Sequence, residues 1–361
     1  MSLRRTDDLR VDKIRPLVAP ELIIEELPVD EQVSQFIERS RRAVARIVSG
    51  EDDRLLVVVG PCSIHDVEAA LEYARRLKPI ADHLAKDLFV VMRVYFEKPR
   101  TTVGWKGLIN DPRIDGSYAI NDGLRMGRSL LLELARQEVP AGCEFLDTIT
   151  PQYMADLVSW GAIGARTTES QVHRELASGL SVPVGFKNGT DGNIQIAIDA
   201  VLAARHPHCF LGVTKQGLSA IVETNGNPDC HVILRGAGGG PNYQAPDVAR
   251  VAAALERAGL APRVMIDCSH GNSGKDPSRQ PAVARDIGLQ LRSGSRTIAG
   301  IMLESHLVAG RQEAPPPGAG PAARQALVYG QSITDACLGW DESVGVLQEL
   351  AEHVRTARAN R

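Results

Sequence analysis

Short apolar runs recur along the chain from residue 55 onwards, and longer amphipathic stretches separate them. The runs lie near residues 55–59, 89–94, 143–146, 162–165, 184–186, 210–213, 232–234, 264–266 and 298–303. Because these runs are almost continuously apolar, they predict parallel strands that are covered by helices on both faces. Eight of them predict an α/β fold of the (β/α)8 TIM-barrel type, and the ninth needs another explanation.

The extra run is the one at residues 210–213. Lys215, Gln216 and Gly217 follow it, and a second β-like run spans residues 218–224. This order predicts an antiparallel hairpin, at about residues 209–224, inserted into the barrel. A doubly wound open sheet is the structural alternative, but the first run is not followed by the G-x-G-x-x-G pattern that would favour it.

Residues 1–50 lack the strand rhythm, and we predict two domains: an N-terminal arm and helix, then a barrel over residues 51–361. Within the first 50 residues, we expect an extended arm at 22–27 and an amphipathic helix at 31–48. A helix should begin at Thr150-Pro151 and end at Gly161, and another should run from Pro246 to Gly259. The proline-rich segment at about 313–324 predicts a mobile surface loop.

Composition narrows the functional class. The 361 residues are 43% apolar and 24% charged, which is typical of a soluble globular protein. A net charge of −3 gives no general attraction to nucleic acid or to an anionic membrane. No apolar run is long enough to span a membrane, and no apolar core follows the basic N-terminus. With six cysteines and no C-x-x-C pair, we expect a cytoplasmic protein.

Three strand-like runs end in residues that bind metals. Cys62 follows the first run, His270 follows the eighth, and Glu304 closes the ninth. Carboxyl ends of barrel strands meet at one mouth, so we predict a single site, with Asp335 as a fourth candidate. Sulfur, nitrogen and oxygen ligands together suit Mn, Fe, Co or Zn. For any one of these residues alone, a buried structural role is the commoner interpretation.

Cations follow the other runs. They are Arg93, Lys98, Arg100, Arg166, Lys187 and Arg235. A single arginine or lysine is usually a solvated surface residue, but a set at several strand ends predicts a ligand that carries phosphate and carboxylate groups.

Several blocks are long enough to resemble a known family. They are residues 60–66 (GPCSIHD), 98–107 (KPRTTVGWKG), 164–170 (GARTTES), 185–192 (GFKNGTDG), 233–236 (ILRG), 266–270 (IDCSH) and 332–337 (SITDAC). Together they resemble type I 3-deoxy-D-arabino-heptulosonate 7-phosphate (DAHP) synthase from about Asp7 to Trp340. The glycine-rich stretch at 236–243 and the proline-rich insert depart from the family pattern.

The resemblance implies a condensation of phosphoenolpyruvate with erythrose 4-phosphate that releases phosphate, as the first step of the shikimate pathway. It implies that Cys62, His270, Glu304 and Asp335 bind the metal ion and that Asp335 also contacts a substrate. It implies that phosphoenolpyruvate binds to Arg93, Lys98, Ala165, Arg166, Lys187 and Arg235, and erythrose 4-phosphate to Pro99, Arg100 and Thr101. Lys98 would deliver a proton, and Glu144 would bind the attacking water. Cys62 and His270 would also belong to the catalytic residues.

The resemblance also implies feedback inhibition by an aromatic amino acid, because relatives that share the Asp-Asp-Leu-Arg arm are inhibited in this way. The residues carried over are Asp7, Asp8, Gln152, Leu176, Leu180, Ser181, Phe210 and Val222. A regulatory arm of this kind implies a homodimer or homotetramer. Two alternatives stay open: a sister synthase that uses arabinose 5-phosphate, and an inactive effector-binding relative that acts as a regulatory subunit.

Overall fold

A computed structural model describes residues 4, 6–100, 104–316, 318–319 and 321–360 of the chain. Thr101, one of the predicted substrate contacts, therefore lies outside the described residues. In chain order the strands are β1 (Leu55–Gly60), β2 (Leu88–Arg93), β3 (Ala141–Glu144), β4 (Trp160–Ile163), β5 (Val184–Lys187), β6 (Cys209–Val213), β7 (Ser219–Glu223), β8 (His231–Leu234), β9 (Val264–Asp267), β10 (Ile298–Glu304), β11 (Val308–Arg311) and β12 (Gln331–Ser332).

Eight parallel strands close into a barrel in the order β1-β10-β9-β8-β5-β4-β3-β2. The closure confirms the predicted TIM-barrel fold and excludes the open doubly wound sheet. Strands β6 and β7 form a separate antiparallel sheet, in which Phe210 lies opposite Val222. This pair is the predicted hairpin insert, so the ninth apolar run does not belong to the barrel.

The apolar runs form strands because they are covered on both sides. Every residue of β1 and of β10 is buried. Leu56 and Val58 point to the barrel interior, where they pack in one cluster with Trp160 and Met302. The alternate residues of β1 belong to the larger cluster between the barrel and its helices. A strand that is buried on both faces requires this nearly continuous apolar sequence.

Eleven α-helices are found in the described part of the chain. They are α1 (Pro20–Glu26), α2 (Glu31–Ser49), α3 (Val67–His83), α4 (Ile120–Arg136), α5 (Pro151–Met154), α6 (Gln171–Gly179), α7 (Gln195–Ala204), α8 (Ala245–Arg257), α9 (Gln280–Arg292), α10 (Pro321–Gln325) and α11 (Trp340–Ala359). Asp30 caps α2 by accepting a hydrogen bond from the Val33 amide at 2.8 Å. The helices predicted from residues 31 and 246 are thus confirmed. Within the described residues, no helix has both the length and the apolar character needed to cross a membrane.

Three predicted segments are wrong. The extended arm at 22–27 is helical, because Pro20 and Glu21 provide a favourable first turn and Ile23 is completely buried. The helix predicted to end at Gly161 stops much earlier, and Gly161 lies in β4, where a side chain would come within 2.9 Å of the Phe145 ring. The proline-rich loop is shorter than predicted, since helix α10 begins at Pro321.

Arg128 fastens the N-terminal segment to the barrel. Its side chain is fully buried, and its guanidinium donates to the carbonyl oxygens of Leu27 and Tyr153 at 3.0 and 2.8 Å. It also forms a two-pronged ion pair with Asp156 at 2.7 and 2.9 Å. One side chain therefore holds the end of α1, helix α4 and the segment after α5 in a fixed arrangement.

We predict that Arg128→Met lowers the free energy of unfolding by about 2–3 kcal/mol, because it leaves two carbonyl groups and a carboxylate without their donor. The loss stays below that of a wholly buried pair because the Asp156 side chain is 37% exposed. The matched control is Arg136→Met on the same helix, whose exposed pair with Glu133 contributes less than about 0.5 kcal/mol. Urea unfolding measures both variants, and equal stability of the two would contradict the prediction.

Candidate active site

The carboxyl ends of the barrel strands surround one polar cavity. Predicted site residues that line it are Arg93, Lys98, Pro99, Arg100, Glu144, Ala165, Arg166, Lys187, Arg235, His270 and Asp335. Gly164, Thr167, Thr190 and Lys275 line it as well, although the sequence analysis had not selected them. Cys62 and Glu304 lie directly behind the lining, in contact with Lys98 and Arg93 respectively.

The predicted metal ligands come together at one side of this cavity. Ligand atoms of Cys62, Glu304 and Asp335 all lie within 4.8 Å of one another. His270 stands at the edge of the group, with its Nε2 3.9 Å from the Glu304 carboxylate. A thiol, an imidazole and two carboxylates at such distances fit a borderline divalent ion, which accepts sulfur, nitrogen and oxygen ligands together.

Strand pairing explains why residues so far apart in sequence meet here. Strand β1 lies beside β10, with Gly60 opposite Glu304, and Cys62 follows two residues after Gly60. The backbone at Gly60 has φ 154°, and a Cβ there would lie 2.8 Å from the Arg93 carbonyl oxygen. Only glycine fits this conformation and this close approach, so the turn that carries Cys62 requires it.

Arg93 is buried beneath the metal-ligand group. Its guanidinium donates to the Glu304 carboxylate and to the Cys62 carbonyl oxygen, both at 3.1 Å, and it lies 3.5 Å from the centre of the Tyr95 ring. Burial opposes the positive charge, but Tyr95 and Glu304 outweigh it and raise the pKa of Arg93. Arg93 is therefore a fixed cation held by the surrounding protein.

Lys98 lies on the other side of the thiol. Its Nζ is 3.0 Å from the Cys62 sulfur and 3.8 Å from the Asp335 carboxylate. Burial and the Glu304 carboxylate raise the pKa of the Cys62 thiol to about 11, against the influence of Lys98. Burial opposes ionisation of Asp335, but Lys98 lowers its pKa to about 2. A divalent cation would favour the Cys62 thiolate, because coordinating thiols lose their proton.

Asp267, which was not among the predicted site residues, links the cation Lys187 to the predicted metal ligand His270. It is completely buried at the end of β9, and its Oδ2 lies 3.0 Å from Lys187 Nζ and 2.9 Å from His270 Nδ1. Burial favours the neutral carboxyl, but Lys187 and His270 hold its pKa well below the usual range. The carboxylate therefore orients His270 with its Nε2 available to a ligand.

The remaining cations form the opposite wall of the cavity. Arg166 donates to the Pro99 carbonyl oxygen at 3.2 Å, which connects the end of β4 to the loop that carries Lys98. Buried Asn188 accepts a hydrogen bond from the Arg235 amide at 2.8 Å. Glu144 is buried at the end of β3, close to Gly164. We call the side that carries the four predicted metal ligands the metal-binding side, and the wall with Arg166 and Arg235 the cationic side.

Most of the predicted effector residues lie on or beside the hairpin and α6, away from the residues that line the mouth. Phe210 and Val222 face each other across the hairpin, and Leu176 is buried on α6. Leu180 is partly buried and Ser181 is exposed. The carbonyl oxygen of Gln152 accepts a hydrogen bond from Lys215 in the hairpin turn. Asp7 and Asp8 are exposed and lie ahead of α1 in the chain. Cys209 is exposed on the hairpin.

Comparison with known proteins finds one family. The model of the DAHP synthetase I family matches residues 26–348. A Phe-sensitive phospho-2-dehydro-3-deoxyheptonate aldolase of Escherichia coli (strain K12) is 56% identical over 98% of this chain and 99% of its own. A tyrosine-inhibited one of Schizosaccharomyces pombe is 55% identical over 98% of this chain and 94% of its own. The solved structure of a phospho-2-dehydro-3-deoxyheptonate aldolase from Francisella tularensis SCHU S4 superposes with a TM-score of 0.93 and 51% identity, over 96% of this chain and 99% of that one.

We predict that Asp267→Asn weakens Mn²⁺ binding about 10- to 100-fold, because His270 loses the carboxylate that orients its ring. Isothermal titration with Mn²⁺ measures the change. The control is Asp276→Asn in the same loop, since Asp276 caps a 3-10 turn through Ser278 and pairs with exposed Arg279. Unchanged affinity in a folded Asp267→Asn variant would contradict the prediction.

Proposed function

The chain belongs to the DAHP synthetase I family, and we propose that its barrel mouth condenses phosphoenolpyruvate with erythrose 4-phosphate and water, giving DAHP and phosphate. One observation carries the proposal: the mouth combines a sulfur, nitrogen and oxygen ligand group with a wall of cations. Two phosphorylated substrates repel each other in water, so an enzyme that joins them must neutralise both.

We propose that the cationic side of the mouth binds phosphoenolpyruvate. Arg166 and Arg235, with the backbone at Ala165, bind its phosphate, because guanidinium groups match phosphate oxygens in pairs. Its carboxylate extends towards the metal-binding side, where Lys187, Lys98 and Arg93 bind it. Their support is their shared position around one cavity, with Lys187 and Arg93 already held by buried carboxylates.

Erythrose 4-phosphate enters from the metal-binding side in this proposal. Pro99, Arg100 and Thr101 bind its phosphate end, and Asp335 contacts the sugar. Its aldehyde then lies near Lys98, whose ammonium group is 3.0 Å from the Cys62 sulfur. The two substrates meet between the two sides, with the reacting carbons held in one orientation.

The proposed metal site consists of Cys62, His270, Glu304 and Asp335. The ion is Mn, Fe, Co or Zn, and when bound it supplies Lewis-acid polarisation of the aldehyde oxygen. The support is the donor set and its distances.

The chain's own residues account for the remaining chemistry. The enol carbon of phosphoenolpyruvate attacks the aldehyde carbon and forms the new carbon–carbon bond, while Lys98 delivers a proton to the aldehyde oxygen. Positive charge then develops on the carbon that carries the phosphate ester, water held by Glu144 adds there, and the proton that this water loses passes to the Glu144 carboxylate. Loss of phosphate from that carbon completes the reaction and leaves the keto group of the product.

We further propose that an aromatic amino acid inhibits the enzyme from a site at the hairpin. The support is that relatives are named Phe-sensitive and tyrosine-inhibited, that Phe210 lies opposite Val222 in the hairpin, and that helix α6, which carries Leu176, contacts β6. The exposed hairpin face, with Leu211 89% and Ile221 73% exposed, favours a homodimer or homotetramer. The arm before residue 50 is the proposed regulatory and oligomerisation segment. Six free cysteines support a reducing, cytoplasmic location.

Two alternative functions make different demands on the residues of the mouth. A synthase that uses arabinose 5-phosphate would need the same metal group and the same phosphoenolpyruvate cations, so the second substrate must be tested directly. An inactive effector-binding relative would have no need of four metal ligands or of a buried cation wall. This chain has both the metal-ligand group and the cations, which favours an active enzyme over a regulatory relative.

We predict that the purified protein consumes phosphoenolpyruvate when erythrose 4-phosphate and Mn²⁺ are present, that a chelator abolishes consumption, and that Mn²⁺ restores it. The absorbance of phosphoenolpyruvate measures the rate. Arabinose 5-phosphate replaces erythrose 4-phosphate in a parallel assay, and its exclusive use would favour the sister synthase. No consumption with either sugar by the metal-bound protein would favour the regulatory relative.

We predict that at least one of Phe, Tyr and Trp inhibits the reaction and that Phe210→Ala relieves the inhibition at least tenfold while leaving the uninhibited rate within twofold. Loss of an aromatic contact in a small-molecule site has an effect of this order. Val172→Ala, at an exposed position on α6, is the control. Inhibition that survives unchanged in Phe210→Ala would remove the hairpin from the proposal.

A further inference from the structure

The backbone of Glu304 lies where the barrel sheet lacks a strand. In a parallel ladder, alternate residues direct their N–H and C=O groups to the same neighbouring strand. Strand β9 pairs with Met302, which accepts a hydrogen bond from the Cys268 amide at 2.9 Å. The chain then turns away from β10 so that His270 reaches the mouth. The two polar backbone groups of Glu304 therefore face a gap on this side.

Gln280 fills this gap with its side chain. Its Oε1 accepts a hydrogen bond from the Glu304 amide at 2.8 Å, and its Nε2 donates to the Glu304 carbonyl oxygen at 3.0 Å. The Gln280 side chain is 1% exposed, and Gln280 is the first residue of α9. A carboxamide carries a donor and an acceptor side by side, as a strand backbone does. The Gln280 side chain thus continues the ladder for one residue.

The same carbonyl oxygen connects the gap to the loop of Asp335. The Leu338 amide donates to the Glu304 carbonyl oxygen at 2.9 Å, and the Leu338 carbonyl accepts from the His306 amide at 2.9 Å. Leu338 lies three residues after Asp335. Gln280 and Leu338 therefore hold the Glu304 carbonyl oxygen from two directions, so that helix α9 and the segment after Asp335 meet at the Glu304 backbone.

We propose that Gln280 is a positioning residue of the metal site: its carboxamide replaces the missing strand and fixes the backbone from which the Glu304 carboxylate reaches the ion. The inference rests on the proposed metal site. It also explains how two neighbouring strands end at different levels: β9 ends early, so that His270 reaches the mouth, whereas β10 continues and presents Glu304. A buried amide meets both requirements.

Mn²⁺ titration of Gln280→Met tests the proposal, with free Mn²⁺ measured by electron paramagnetic resonance. Methionine has a similar size and no hydrogen-bonding amide, so the Kd for Mn²⁺ should rise about 10- to 100-fold. Gln290→Met on the same helix is the control, because Gln290 donates to the Tyr243 carbonyl oxygen and to Asp286 and touches no metal ligand. Its Kd should stay within twofold of the wild type.

Gln280→Asn carries the comparison if the methionine variant does not fold. Asparagine keeps the amide but is one methylene too short to bridge both groups of Glu304, so its Kd should also rise at least tenfold. An unchanged Kd in either folded variant, or an equal rise in Gln290→Met, would overturn the proposal. Failure of the proposed function looks different, because the wild-type protein would then bind Mn²⁺ but consume no phosphoenolpyruvate with erythrose 4-phosphate, whereas failure of the proposed metal site would leave the wild-type protein without Mn²⁺ binding.

Discussion

Buried charge is the constraint on which the barrel mouth depends. Arg93 and Lys187 are almost fully buried, and each has a carboxylate within 3.1 Å, from Glu304 and Asp267 respectively. A buried charge without such a partner is strongly destabilising, because burial removes its hydration and nothing replaces it. The same two carboxylates contact His270, so neutralising the cations and arranging the metal ligands are one structural problem.

The sequence predicts the strands well because a parallel barrel needs apolar runs of a recognisable length. It predicts Cys62, His270 and Glu304 as one site because the carboxyl ends of such strands converge. It fails for α1, whose apolar residues at 22–24 fit a strand as well as a helix until Ile23 is seen buried. Asp267 and Gln280 were not found, since their roles depend on which backbone and which cation the folded barrel brings beside them.

The hairpin shows a second division of the fold. Strands β6 and β7 pair only with each other and leave the order of the barrel strands unchanged. Their alternating exposed and half-buried residues differ from the fully buried barrel strands. An insertion with its own hydrogen-bond ladder can change in sequence without altering the register of the mouth. The side chains of the hairpin and those of the mouth therefore place few demands on each other.

Closure of the barrel between its first and last strands has a consequence for biosynthesis. While the ribosome is still making the second half of the chain, β1 has no partner on its open edge, and Cys62 stands without Glu304 or Asp335. Contacts between segments so distant in sequence form late and slowly. A nascent or truncated chain thus offers a lone thiol, and the four proposed metal ligands come together only when the fold is complete.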